Sequence, residues 1–269
     1  MIDGVLFRFL VRRHRLALGL LALVPLLIGS IIGLIYPTFA REREMARNLL
    51  KIAHKFFGGE QIDILSAAGA FTLPFQHPLV FGALALFAAI PALALPAGER
   101  GRGGLDLLLA TPLERETMVR TIAVFQGCGA PILGLSALIG SFIGAAIAGA
   151  TGEVAWSRMV LLAFDLTALV LAFSALALLV SVLAADRSQA TLFFGVGAFL
   201  AFMIDVASRL WRAGAWLGRL TPYGYMRPAR VVGEDGGLGM GITDAAILTA
   251  AAACVWLVSI RIESRRNSV

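Results

Sequence analysis

Six stretches of this chain are, or nearly are, long and apolar enough to cross a lipid bilayer, and this constrains its fold more than any other feature. A spanning helix needs about 20 mostly apolar residues. The stretches run about Leu16–Tyr36, His77–Ala97, Met118–Ile147, Arg158–Ala185, Ala190–Ala207 and Thr243–Ile260. Met118–Ile147 fits a membrane only by tilting, kinking or projecting from it. Lipid offers no hydrogen-bond partners, so each crossing must satisfy its backbone internally, as a helix does. The expected fold is all-α: a polytopic membrane protein with six transmembrane helices.

Composition agrees. Of 269 residues, 59% are hydrophobic and 15% charged, with a mean hydropathy of +0.85. A soluble domain is about half apolar and a quarter charged. No run is polar enough for a separate soluble domain, so residues 1–269 read as one transmembrane domain. The net charge of +6 comes from arginines flanking apolar segments, where they fix topology and meet anionic headgroups. Membrane lipids, and not nucleic acid, are the partners this implies. Cys128 and Cys254 lie inside apolar runs and point to no disulfide framework or thiolate metal site. No small-residue cleavage site follows the first apolar run, so Leu16–Tyr36 reads as a retained anchor.

Six crossings put both termini on one side. Arg8, Arg12, Arg13 and Arg15 precede the first stretch, and Arg261, Arg265 and Arg266 follow the last. The positive-inside rule makes that side cytoplasmic. Tyr36, Trp156, Trp211, Trp216, Tyr223 and Tyr225 then fall at or beyond the outer ends, as an interfacial belt does. Residues 98–117 and the short 186–189 turn are expected inside, and 38–76, 149–157 and 208–242 outside. In the first external subregion, Met45, Leu49, Ile52, Ala53 and Phe56 recur at helical spacing before Gly58 and Gly59. This reads as an amphipathic helix on the outer leaflet or capping the bundle; docking of an external partner at 41–59 is the sharper alternative. Residues 208–242 mix Arg with Trp and Tyr, and read as an interfacial or re-entrant segment.

Catalytic constellations are missing from the sequence. There is no phosphate-loop motif, no HExxH pair and no G-x-S-x-G elbow. The chain is therefore not expected to be an enzyme, nor to bind a metal or cofactor itself. Asp165 is the one acid clearly within a predicted span. An ionisable residue there is a candidate for a substrate path, or a structural partner of an arginine. Gly127, Gly129, Pro131 and Gly134, with Gly140 and Gly144 at small-xxx-small spacing, favour close helix packing, with a hinge as the alternative. Pro91 carries the same ambiguity in the second stretch.

The segment ERGRGGLDLLLATPLER, residues 99–115, holds a leucine cluster too short to cross. On a helix, Leu105, Leu108 and Leu109 share one face. Thr111 is pushed out of α geometry by Pro112. Thr-Pro-Leu-Glu also fits a capping box, with Thr111 as N-cap and Glu114 at the third position, so a new helix is expected to start at Pro112. A short amphipathic cytoplasmic helix, about 99–111, would then sit between the second and third crossings, its apolar face needing a cover.

A glutamate, a glycine-bearing turn, Leu-Asp-Leu-Leu-Leu, Thr-Pro and then an arginine resemble the signature of ATP-binding-cassette (ABC) transporter permeases of the type-2 exporter class, the ABC-2 family. The resemblance implies a coupling helix docked on a separate ATPase, and it carries over to Glu99, Gly104, Leu105, Asp106, Leu108, Leu109, Pro112 and Arg115. Thr221–Pro228 is similar to the aromatic-proline segment the family often has before its last helix, and Asp3–Arg15 resembles its N-terminal amphipathic connecting helix. Pro131, Tyr223 and Tyr225 join Asp165 as candidates for substrate path or gating. The implied assembly has two ABC ATPase subunits, which hold ATP and Mg, and a second permease copy or a similar permease, in a bacterial or archaeal cytoplasmic membrane. The competing reading is an ion-gradient-driven transporter or channel using Asp165.

Overall fold

The computed structural model describes residues 2–41, 66–101, 114–233 and 238–265. Among them six helices are long and apolar enough to span, and there is no strand, so the chain is an all-α polytopic membrane protein. The helices are α1 (Gly4–Arg41), α2 (Pro78–Ala94), α3 (Arg115–Ile147), α4 (Trp156–Leu183), α5 (Arg187–Leu210) and α6 (Leu238–Arg265); the second span, Ala67–Ala94, takes in the short turns Ala67–Ala70 and Leu73–Phe75 ahead of α2.

The Arg-rich start is not a separate connecting helix; it runs unbroken into the first span. Leu10, His14, Leu18, Ala22, Pro25, Gly29 and Gly33 form one buried stripe along α1. Its three-to-four-residue spacing never shifts phase, so nothing breaks the helix between Asp3 and the span. Asp3 caps the start, accepting from Leu6 N at 2.6 Å, and its own N–H donates to Thr121 Oγ1 of α3 at 3.0 Å.

Backbones meet most closely where α1 crosses α3. A Cβ added to Gly29 would come within 2.6 Å of Ser141 N, and one on Gly140 within 2.5 Å of Leu26 O. Lipid supplies no hydrophobic force between helices, so small residues that let them touch hold such crossings together. Gly140 and Gly144 thus serve close packing.

α4 is the enclosed centre, while α1, α5 and α6 turn much of their apolar surface outward. Leu16, Leu20 and Leu34 on α1 and Leu192, Phe193 and Phe199 on α5 are exposed. On a membrane protein these faces meet acyl chains or another subunit.

Two local features differ from expectation. α2 stops at Ala94, with Leu95 as its C-cap (φ −104°, ψ −72°) just before Pro96, and a short separate helix Pro96–Gly101 follows. The third span begins at Arg115, not Pro112. Glu114 is its N-cap in extended geometry (φ −66°, ψ 141°) and makes no side-chain cap. A capping box needs that glutamate inside the first turn, so the box is not formed. Thr111 and Pro112 themselves, and the amphipathic stretch 42–59, lie outside the described residues.

Candidate functional site

Two regions hold the candidate residues, one at each end of the bundle. At the end bearing both termini, Pro96–Gly101 lies against the end of α4. Ala97 N donates to Ser181 Oγ at 3.2 Å. Arg100 Nη1 donates to the carbonyls of Val182 (3.2 Å) and Ala184 (2.5 Å). Those carbonyls belong to a helix C-terminus, where acceptors lack helical partners and carry partial negative charge.

Arg100 Nη2 also lies 3.5 Å from Glu263 Oε1, and Arg115 Nη1 lies 3.8 Å from the same oxygen. Glu263 is fully buried near the end of α6. A single carboxylate therefore faces an arginine in the last turn of the 96–101 helix and the residue that starts α3. Of the positions expected to form the coupling element, Glu99 and Arg115 are described, on either side of residues 102–113. Gly104, Leu105, Asp106, Leu108, Leu109 and Pro112 lie outside the described residues.

Neither Arg100 nor Glu263 stands out in the sequence reading. Glu263 follows the sixth apolar stretch inside an arginine-rich tail. The signal that finds it is periodic: Gly241, Leu248, Ala252, Ser259 and Glu263 are the buried positions of α6 and form one stripe. An acid continuing an apolar stripe among arginines is a buried counter-ion.

At the opposite end, residues 212–220 and 222–225 form short 3₁₀ turns that fold back over the bundle. Tyr223 does not join an interfacial belt. It is 3% exposed, with its ring centroid 4.7 Å from that of Phe173, 4.8 Å from Phe81 and 5.8 Å from Phe202. Its backbone is set by Thr221, whose side chain accepts from Gly224 N at 3.3 Å. Burial pushes the Tyr223 phenol above its ordinary range, and the Asp205 carboxylate adds to this, so the hydroxyl stays neutral.

Tyr223 closes one end of an apolar groove of about 310 Å³ between α2 and α5. Phe81, Gly82, Ala85 and Ala89 form one wall, and Phe194, Ala198, Phe199 and Phe202 the other. Thr191 and Tyr223 are the polar side chains on its lining. Such a wall binds by apolar contact and ring stacking; it has no charge with which to hold an ion.

The remaining candidates do not converge on this groove. Tyr225 is half-buried nearby, and Pro131 lies on the exposed side of α3. Asp165 is buried on α4, and neither carboxylate oxygen has a hydrogen-bond partner among the described residues. Asp244 of α6 is its electrostatic neighbour. Asp205, near the end of α5, is 1% exposed and held by Arg209 at 2.8 Å. The folded 212–225 segment covers it.

Comparison with curated proteins returns no match. The family model described as "ABC-2 family transporter protein" matches residues 9–213, from the start of α1 through α5 and across the 99–115 segment. With most of its length matched, the chain belongs to the ABC-2 transporter family and is a membrane-spanning permease subunit of an ABC transporter.

Proposed function

We propose that this permease works in an ATP-driven exporter, as a dimer or paired with a similar permease, beside two ATPase subunits that hold ATP and Mg. Both termini face the cytoplasm of a bacterial or archaeal cell, and residues 99–115 receive the ATPase. The observation that carries this reading is the construction around that segment. Its two ends, at Arg100 and Arg115, converge on Glu263, and Arg100 also grips the end of α4. A load applied between these ends acts on α3, α4 and α6 together. ATP-driven closure of the ATPase pair then tilts rigid helices between two access states.

The α2–α5 groove favours an apolar or amphipathic cargo. Its aromatic walls bind an acyl chain or a flat hydrophobe, and it opens on a side of the bundle where α5 shows an apolar face. The chain's part is binding and force transmission; hydrolysis belongs to the partner.

The test is co-expression with the ATPase encoded beside it. Replacing Leu108 and Leu109 with aspartate is expected to abolish co-purification and transport-stimulated hydrolysis while the permease still inserts. An intact, coupled complex from that variant overturns the coupling assignment.

A second reading rests on Asp165, a buried acid within a span whose carboxylate has no hydrogen-bond partner among the described residues. It makes the chain a gradient-driven transporter, with transport in proteoliposomes lacking any ATPase and lost in Asp165→Asn.

A further inference from the structure

Glu263 lies beyond residues 9–213, on the long helix that the family match does not reach. Its side chain is 0% exposed, and a carboxylate so placed persists only where cations and donors offset its lost hydration. Here the cations come from the two sides of residues 102–113. Arg100 precedes that segment and Arg115 follows it. Arg100 further divides its guanidinium between Glu263 and two carbonyls at the end of α4. Both arginine side chains keep about a fifth of their surface accessible (22% and 23%), so the pairs sit at the rim of the bundle with the carboxylate inside it.

Well-packed apolar residues of similar volume often match a buried ion pair in stability. What an ion cluster adds is direction: each arginine satisfies its charge at one location only, which fixes the register of the elements that carry it. We propose that Glu263 is a positioning residue. It sets the separation of the 96–101 helix and the start of α3, and locks both to the ends of α4 and α6. The two ends move as one piece, whatever is docked between them. Only the consequence for the ATPase rests on the coupling reading above; the geometric role does not.

The experiment uses the full-length permease in nanodiscs, with the exposed Cys128 and Cys254 replaced by serine. Spin labels are placed at Glu114→Cys and Arg261→Cys, both on exposed positions. Pulsed electron resonance is expected to give one narrow distance in this background. Glu263→Gln keeps the side chain's size but removes the shared charge, and is expected to broaden the distribution. Arg115→Gln, which removes one pair and leaves the other, is expected to broaden it too, and it serves if Glu263→Gln fails to fold. A distribution that stays narrow in the folded variants overturns the proposal.

A second arm measures affinity for the partner ATPase in unlabelled protein. A loss of roughly tenfold in Glu263→Gln, with the melting temperature within a few degrees of the parent, is expected of a positioning role. Broadened distances with unchanged affinity leave the positioning role standing and refute the coupling reading. A lowered melting temperature with neither other change marks Glu263 as structural only and overturns the proposal.

Discussion

Glu263 Oε1 lies 3.5 Å from Arg100 Nη2 across 163 residues of sequence, joining the last long helix to the short one that follows α2. The contact is buried on the glutamate side. Removing the arginines instead leaves the carboxylate inside the bundle short of its cations. Replacing Arg100 and Arg115 together by alanine is therefore predicted to destabilise the permease by about 3 kcal/mol or more, read as a drop in melting temperature. A surface-like effect below about 1 kcal/mol contradicts the burial argument.

The crossing of α1 and α3 predicts a sharp contrast between two glycines on one helix. An added Cβ at Gly33 falls within 2.6 Å of the Gly144 carbonyl carbon, whereas one at Gly19 meets nothing within 4 Å. Gly33→Ala is expected to cost about 1–3 kcal/mol through forced separation of the helices. Gly19→Ala is expected to be neutral or mildly stabilising, by up to about 1 kcal/mol. Thermal unfolding of the two variants in the same detergent decides; equal melting points contradict the packing.

Tyr223 predicts a split between ring and hydroxyl. Tyr223→Ala empties the aromatic cluster formed with Phe81, Phe173 and Phe202, and should cost about 3 kcal/mol or more while enlarging the groove. Tyr223→Phe keeps the ring and should stay within about 1.5 kcal/mol of the parent. The hydroxyl also gives a pH signature. Its pKa is raised in the folded state, so on raising the pH the unfolded chain loses this proton first. The parent should match Tyr223→Phe below about pH 9 and lose stability faster above about pH 10. Parallel curves across that range contradict the burial assigned to the phenol.

Asp165 separates the two transport readings. Its oxygens have no hydrogen-bond partner among the described residues, so Asp165→Asn is expected to keep or raise thermal stability. With the exporter reading, ATP-driven transport survives in that variant. Loss of transport together with loss of ion dependence supports the gradient-driven reading instead.

Most of the architecture was legible because lipid imposes it. A span must be long, apolar and helical, so hydropathy alone marks six crossings. The details that escaped are tertiary. Asp205 and Glu263 sit just inside or past the ends of apolar runs, where a single sequence cannot tell a solvated acid from one covered by a neighbouring segment. Tyr223 reads as an interfacial tyrosine by position, and only the space between α2, α4 and α5 makes it a core residue. The Thr111–Glu114 pattern satisfies a capping box locally, yet Glu114 is extended and the helix starts at Arg115. Arg115 there lies against Glu263, a partner far away in sequence.

The most direct test of the account is transport by the purified permease in proteoliposomes, with and without its partner ATPase, using a fluorescent amphipathic lipid as cargo. The account predicts movement that requires both the ATPase and hydrolysable ATP, and that is indifferent to proton or sodium gradients. Movement driven by an ion gradient in vesicles without the ATPase contradicts it.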